Sequence, residues 1–411
     1  MLKKLIGLFL IFSPFTSYFA LSGWLRLPVM LLLITISAFL IKLIFKPKIK
    51  IKALKIKDYD ILLIVFLGIV WVSFITGFAN KRSFNHSLAY TFAIGAYYFI
   101  LRIIVHYEKL DAGFIMKMFA ISAVVCSCII TLDFILINVF KIGIRGYFIN
   151  LDNGSANMLY YIRGRAWAVG GVAEEPGSMA LLMNIICPVG ILYYKLRENQ
   201  FMQYFLTILY LFSMIFLFSA AGMLILILVY GFIFSCTFLL SKRITIKKSN
   251  ILAIFLLIGI SALLVVKYYA VLEKPLNELS DKVLFKNNSY SASIRLHTWV
   301  TAFKDWFMNP FLGNGPGYGV EKYTLGYHSI YLTILADLGI FAIIAFVSFL
   351  IKFGGNLFWL NPQIRTYFML PFLSTLVHLA IVGDFYHAPF WILLILIQLI
   401  QKDEYIRNFT S

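Results

Sequence analysis

The sequence predicts an all-α, polytopic membrane protein, and three observations carry this prediction. Of its 411 residues, 61% are hydrophobic and only 13% are charged, and the mean hydropathy is +0.88. A water-soluble chain of this size cannot bury so much apolar surface. The apolar residues also form runs of about 18–20, the length that a helix needs to cross a hydrocarbon core about 30 Å thick. We therefore expect residues 1–411 to form a single integral membrane domain in contact with membrane lipids.

The apolar runs between charged residues predict about twelve transmembrane helices. Their predicted ranges are 5–20, 27–45, 61–79, 88–105, 114–140, 177–194, 201–218, 221–240, 251–266, 329–351, 366–382 and 386–400. The stretch 201–240 has about twice the length of one span, and we divide it at the small residues Ser219 to Gly222. If this break is only a kink, the direction of every later helix is reversed.

The positions of the positive charges predict the orientation. Six lysines separate the second and third spans, and such clusters belong in cytoplasmic loops, which places both termini in the cytoplasm. On this topology 22 Lys and Arg lie inside and 14 lie outside. Eleven of the outer ones are in two long outer loops, 141–176 and 267–328. Long loops are translocated regardless of charge. The net charge of +18 therefore indicates topology, and we expect no nucleic-acid partner.

The first long loop ends in a group of charged residues. Arg163 and Arg165 precede Glu174, Glu175 and Pro176. Proline is favoured in the first turn of a helix, so Pro176 is predicted to open the sixth span with the positive end of its dipole facing outward. The two glutamates either only complement that dipole or take part in binding or catalysis, and the sequence leaves both interpretations open.

The second long loop contains a predicted amphipathic helix. Its apolar residues recur at helical spacing: Leu296, Trp299, Val300, Phe303 and Phe307. Ser293 is a predicted N-cap, and the apolar face suits the outer membrane boundary, where short helices of this kind lie. Arg295 then falls in the first turn, where a cation opposes the helix dipole. This position favours an anionic partner for Arg295.

The same loop continues with glycine at every second position from 313 to 319, which indicates tight turns and close backbone approach. It ends at His328, where the tenth span begins with its N-terminus outward. A histidine at a helix start is more often structural than catalytic. Here two outward helix N-termini and the loop arginines favour a phosphate or diphosphate ligand, which makes His328 a catalytic candidate.

Two further polar features lie in or near the spans. Asp133 lies within the fifth span, where an ionisable group is either functional or a hydrogen-bonded structural acid. His378, Asp384 and His387 cluster near the outer ends of the last two spans without a recognisable metal-ligand spacing. We therefore predict no metal and no other cofactor.

Taken together, four segments resemble the O-antigen polymerase and O-antigen ligase family of bacterial envelope glycosyltransferases. These segments are Arg165…Glu175-Pro176, Ser293-Ile294-Arg295-x-x-x-Trp299, Asn309-Pro310-x-x-Gly313-x-Gly315-Pro316-Gly317 and His328-x-x-Tyr331-Leu332…Asp337-Leu338-Gly339. The resemblance implies a GT-C-like fold in the bacterial inner membrane and a role in lipopolysaccharide biosynthesis. It also implies undecaprenyl-diphosphate-linked oligosaccharide as the substrate at the periplasmic face.

The resemblance assigns candidate roles to the loop residues. Arg165 and Arg295, with Arg163 as a weaker candidate, are expected to hold the diphosphate, and His328 to act as general base. Glu175 is an alternative base or a ligand of acceptor hydroxyls. The remaining candidates are Glu174, Tyr331 and Asp133.

We predict a polymerase, which extends the glycan onto another lipid-linked repeat unit and works with a chain-length regulator protein. The alternative of the same chemistry is a ligase, which transfers the glycan to lipid A-core. The alternative of another class is a flippase or transporter of lipid-linked oligosaccharide. A transporter is disfavoured because the charges concentrate in the outer loops and not along a central path with broken helices.

Overall fold

The computed structural model describes residues 1–21, 24–45, 56–148, 160–163, 166–240, 290–323, 326–383 and 387–402. Across these ranges the chain is almost entirely helical, with one short two-stranded antiparallel hairpin. The predicted all-α fold class is confirmed. The hairpin lies in the first long loop, for which the sequence predicts no strand.

The elements follow one another with short connections in most of the chain. The helices are α1 (Leu2–Phe12), α2 (Leu27–Phe45), α3 (Asp58–Thr76), α4 (Lys81–Ile94), a π-helical segment (Gly95–Ile100), α5 (Leu101–Tyr107), α6 (Ala112–Asn138), α7 (Pro176–Leu196), α8 (Gln200–Phe216), α9 (Ala220–Leu240), α10 (Tyr290–Met308), α11 (Tyr318–Tyr323), α12 (Ile330–Gly355), α13 (Pro362–Leu379) and α14 (Ala388–Lys402). Short 3₁₀ turns occur at Arg145–Tyr147 and Asn356–Trp359, and the hairpin consists of β1 (Tyr161–Arg163) and β2 (Ala166–Ala168).

Within the described residues, six helical segments are long and apolar enough to cross a membrane. They are Leu27–Phe45, Asp58–Thr76, Lys81–Tyr107, Ala112–Asn138, Pro176–Leu196 and Ile330–Trp359. Shorter apolar helices follow at α8, at α14 and within α9. The polytopic membrane class is therefore confirmed. The predicted ninth span, 251–266, lies outside the described residues, so the count of about twelve stays a prediction.

The predicted first span, 5–20, is wrong. Helix α1 ends at Phe12 after 11 residues, about 17 Å of helix, which is too short to cross a bilayer. Pro14 ends it because it has no backbone N–H to donate to the Leu10 carbonyl, which accepts a hydrogen bond from the Ser13 hydroxyl instead (2.8 Å). The end is also tied to α6, since the Ser122 hydroxyl donates to the Ile11 carbonyl (2.7 Å). Helix α1 therefore packs on α6 as a buried half-length helix.

The predicted division of 201–240 is confirmed as a break in the helix. Helix α8 ends at Phe216, Phe218 takes a left-handed φ of 45°, and Ser219 accepts a hydrogen bond from the Gly222 amide (3.2 Å) in the first turn of α9. A Cβ on Gly222 would lie 2.4 Å from the Cβ of Ala180 on α7. The small residues therefore permit both the turn and the close approach of α9 to α7.

Helix α10 confirms the predicted amphipathic helix but not its start. It begins at Tyr290, so Ser293 lies inside it and the predicted N-cap is wrong. Arg295 is consequently beyond the first turn, where the helix dipole is felt most, and the dipole gives no reason for its presence. The predicted apolar residues Leu296, Val300 and Phe307 are all exposed, as a face against membrane lipid should be.

Helix α12 is interrupted where the glycine-rich loop meets it. Gly339 has a φ of 81° within the helix, which leaves the carbonyls of the preceding turn without helical partners. The backbone N–H groups of Asn314 and Gly315 donate to the carbonyls of Ala336 (3.2 Å) and Asp337 (2.8 Å). The loop therefore supplies the hydrogen bonds that the break removes.

The side chain of Asp337 strengthens the same junction. It is fully buried, and its carboxylate accepts the backbone N–H groups of Gly317 (2.9 Å) and Gly319 (3.1 Å). The Ser73 hydroxyl of α3 adds a hydrogen bond to the Asp337 carbonyl (3.1 Å). The predicted close backbone approach is confirmed, since a Cβ on Gly313 would lie 2.3 Å from the Asp337 backbone.

We predict that Gly313→Ala destabilises the protein. The new Cβ overlaps backbone atoms that cannot move without separating the loop from α12, and overpacking of this kind costs about 1–3 kcal/mol. Thermal unfolding of the purified protein in detergent should show a lower Tm. The matched control is Gly68→Ala in α3, where a Cβ meets no atom within 4 Å and the Tm should be unchanged or slightly higher. Equal Tm values for the two variants would contradict this account.

Candidate active site

The candidate site is built around the N-terminus of α12. His328 has a left-handed φ of 52°, so the backbone turns there and the helix begins after it. Ser329 is the N-cap, and its hydroxyl oxygen lies 3.5 Å from the backbone N of Leu332. The predicted start of the tenth span is therefore confirmed. The His328 side chain is half-buried at this turn.

The end of α13 lies directly beside this helix start. The backbone N–H of Ile330 donates to the carbonyl of Val382 (3.1 Å), and the Tyr331 hydroxyl donates to the carbonyl of Leu376 (3.0 Å). The candidate Tyr331 thus uses its hydroxyl to join α12 to α13. These two contacts bring residues 376–382 next to His328.

Arg295 reaches the same region from α10. It is half-buried and lies on the same face of α10 as Ala302, seven residues later. Ala302 is buried in a small apolar cluster with Ala336 of α12. Arg295 and His387 both act electrostatically on His378, which is fully buried near the end of α13. The structure therefore places the predicted Arg295 within electrostatic range of the end of α13, where the N-terminus of α12 also lies.

Asp305 of α10 fixes the segment that leads into His328. Its buried carboxylate accepts hydrogen bonds from Tyr327 (2.8 Å), Tyr323 (3.1 Å) and Lys322 (3.0 Å). Burial, together with neighbouring carboxylates, raises the pKa of Tyr327, so its hydroxyl remains a donor at neutral pH. The hydrogen bonds that the Lys322 ammonium donates, first to Tyr318 and then to Tyr323 and Asp305, raise the pKa of Lys322. Sequence reasoning missed Asp305 because its partners lie 17 to 22 residues away.

A cavity of about 240 Å³ lies between α10 and the residues before His328. Its lining residues are Ile294, His297, Thr298, Thr301, Tyr323 and Tyr327. This volume is below the roughly 300–1,000 Å³ of pockets for drug-sized ligands, and it suits a small group such as one sugar ring. The Thr298 hydroxyl lies 3.4 Å from the Tyr327 carbonyl at the cavity wall.

A second buried polar cluster holds the end of the first long loop. The Arg145 guanidinium donates to the backbone carbonyls of Ala173 (2.5 Å) and Glu174 (3.3 Å), just before α7. The Arg145 backbone N–H donates to the Tyr160 hydroxyl (3.1 Å), which donates to Asp133 (2.8 Å). Burial raises the pKa of Tyr160 to about 12, so it remains a donor. The candidate Asp133 is thus a hydrogen-bonded acid that anchors the loop.

The two glutamates lie on exposed surface at the start of α7. Glu175 is the N-cap residue and Pro176 occupies the first turn, as predicted. Glu174 forms an ion pair with Arg26, in the connection between α1 and α2. Both residues are placed where they complement the helix dipole. The ion pair of Glu174 also links the segment before α7 to the connection between α1 and α2.

Arg163 ends β1, and its backbone pairs with Ala166 of β2. Asn138 of α6 holds this hairpin through hydrogen bonds to the backbone of Trp167 (2.8 and 3.0 Å). The side chain of Arg163, all of Arg165 and all of Asp384 lie outside the described residues. The predicted diphosphate contacts of these two arginines therefore stay predictions.

The chain is similar to a known protein family in part of its length. Residues 205–347 match the family model described as O-antigen ligase. This segment is about a third of the chain and contains most of α8, all of α9 to α11, Arg295, His328 and the first part of α12. The resemblance found in the sequence is therefore confirmed for this segment. No curated protein matches the chain.

We predict that Asp305→Asn loosens the segment that carries His328. The variant keeps the side-chain size but removes the charge that pairs with Lys322, and a lost hydrogen bond to a charged group costs about 1.5–3 kcal/mol. Hydrogen exchange in residues 318–332 should become faster than in the wild type. The control is Lys304→Asn, an exposed neighbour on α10, which should leave exchange unchanged. Wild-type exchange in the Asp305 variant would show that the cluster does not hold the segment.

Proposed function

From the match of residues 205–347 to the O-antigen ligase family model, we propose that this chain is an O-antigen polymerase of the bacterial inner membrane. It transfers a growing glycan from undecaprenyl diphosphate onto a lipid-linked repeat unit. On the proposed topology both termini are cytoplasmic and the site faces the periplasm. The observation that carries the proposal is the placement of His328 and Arg295 around the start of α12.

The departing lipid diphosphate gains negative charge in the transition state, and cations placed there lower the barrier. Ile330 and Leu332 already use their backbone N–H groups for hydrogen bonds within the protein. Helix α12 therefore acts on the diphosphate through its dipole. We assign the direct hydrogen bonds to the Arg295 guanidinium, whose planar fork suits phosphate oxygens, and further cations to Arg165 and Arg163.

The acceptor reacts through a sugar hydroxyl. Its oxygen attacks the anomeric carbon of the donor glycan, the bond from that carbon to the lipid diphosphate breaks, and the hydroxyl proton passes to a base. We assign this base to His328, because imidazole titrates near neutral pH and accepts a proton readily. Glu175 is the alternative base. The cavity beside Tyr327 is the proposed place for the acceptor sugar, where tyrosine and threonine side chains are within its reach.

The buried charges support an enzyme over a transporter. Asp60 of α3 accepts two hydrogen bonds from Arg102 of α5 (2.8 and 2.9 Å), and Tyr98 and Gln398 complete this network. The pair therefore bonds four elements together, which is a structural role. A transporter, in contrast, needs buried charged groups along the path that its substrate takes through the membrane.

The proposed catalytic base is tested with His328→Ala. We expect loss of long-chain polysaccharide, seen as the disappearance of the ladder on a gel of surface polysaccharide, while the protein level in the membrane stays normal. The matched control is His106→Ala, an exposed histidine in the last turn of α5, which should leave the ladder unchanged. A wild-type ladder from the His328 variant would sink the proposal.

Polymerase and ligase are separated by a strain that lacks the protein. A polymerase deletion should leave lipid A-core that carries a single repeat unit, because ligation continues and elongation does not. Naked core together with accumulated lipid-linked polymer would identify the chain as the ligase instead. Polysaccharide extracted from both strains and resolved by size gives the answer.

A further inference from the structure

His378 is a buried polar side chain that the assignments above do not use. It lies in the last turn of α13 with none of its surface exposed. Neither ring nitrogen has a hydrogen-bond partner among the residues that the structure describes. Buried polar groups in native proteins nearly always have a partner. The unsatisfied nitrogens of His378 therefore indicate a ligand that binds at this point.

The position of His378 connects it to the start of α12. On one side of it in the sequence, the Leu376 carbonyl accepts the Tyr331 hydroxyl (3.0 Å). On the other side, the Val382 carbonyl accepts the Ile330 N–H (3.1 Å). Both α12 residues follow His328 within three positions. His378 is thus held against the first turn of the helix on which the candidate site is built.

The charges around His378 favour an anion. Arg295 from α10 and His387, just before α14, both lie close enough to act on it electrostatically, and the Arg295 guanidinium is positively charged at any physiological pH. These two are the groups that act on it electrostatically within the described part of the chain. A ligand that satisfies an imidazole N–H and lies close to a guanidinium is an oxyanion, and the positive end of the α12 dipole adds to this preference.

We propose that His378 is a further substrate-binding residue, whose ring N–H donates to a phosphate oxygen of the lipid diphosphate held by Arg295. This inference rests on the proposed function and adds a neutral donor to the diphosphate site. In this arrangement His328 handles the acceptor proton, while His378 and Arg295 hold the leaving group. Two histidines at one helix start then have separate tasks.

The test compares two replacements at this position in the purified full-length protein in lipid nanodiscs. The probe is inorganic pyrophosphate, and its Kd is measured by calorimetry. His378→Leu removes both ring nitrogens and should weaken binding by about tenfold, as expected for one lost hydrogen bond to a charged ligand. His378→Gln keeps an N–H donor and should retain most of the affinity.

Thermal unfolding without pyrophosphate distinguishes this binding role from a purely structural role of His378. Because His378→Leu removes buried groups that have no protein partner, its Tm should equal or exceed that of the wild type. A lower Tm with unchanged pyrophosphate affinity would show that His378 only packs, and it would overturn the inference. The control His106→Leu should change neither the affinity nor the Tm.

The outcomes also separate this inference from the proposed function. If the wild type binds pyrophosphate and His378→Leu binds it equally well, the role of His378 is wrong while the function stands. If the wild type does not bind pyrophosphate, the diphosphate site itself is wrong and both proposals fail.

Discussion

The docking of the glycine-rich loop into the break of α12 is the constraint on which the candidate site depends. A broken helix inside a membrane protein exposes carbonyl groups that lipid cannot satisfy. Here the loop satisfies them with its own backbone N–H groups, and the buried Asp337 accepts two more. Only glycine permits this approach at Gly313, where a Cβ would overlap the Asp337 backbone. The loop is thereby fixed against both α12 and α3.

The same constraint positions the catalytic candidates. The docked loop joins α10 to α11, and Asp305 binds Tyr327 in the segment that follows. His328 comes next in the chain. Its backbone is therefore held by the hydrogen bond of Tyr327 before it and by that of Ile330 after it. Arg295 lies on α10, and α10 is joined directly to this docked loop. The candidate site thus rests on the hydrogen-bonded assembly of loop and helix.

Much of the fold follows from local patterns in the sequence. Apolar length and periodicity predict the helices, Pro176 and Ser329 mark two helix starts, and the alternating glycines indicate close backbone contact. Apolar composition does not predict the end of α1, because it carries no information on the local effect of Pro14. Ser293 is not the N-cap of α10, because a good capping residue also occurs inside helices. The GT-C-like arrangement of the spans stays a prediction.

The site could be predicted only in part, because its polar partners are distant in the sequence. His328 follows from its position before a helix start and from the family resemblance, whereas Arg295 follows from the resemblance alone, because its predicted place in a first turn is wrong. Asp305, Arg145 and His378 carry no such signal, since their roles come from contacts made by folding. The roles of Arg163 and Arg165 stay predictions, because the side chain of Arg163 and all of Arg165 lie outside the described residues.

The central claim is that this chain alone transfers glycan from a lipid diphosphate. The most direct measurement supplies the purified protein with lipid-linked oligosaccharide and follows the length of the lipid-linked glycan and the release of undecaprenyl diphosphate. The account predicts longer lipid-linked chains, with one undecaprenyl diphosphate released for each transfer and no other protein present. Unchanged chain length and no released diphosphate from folded, membrane-reconstituted protein would contradict it.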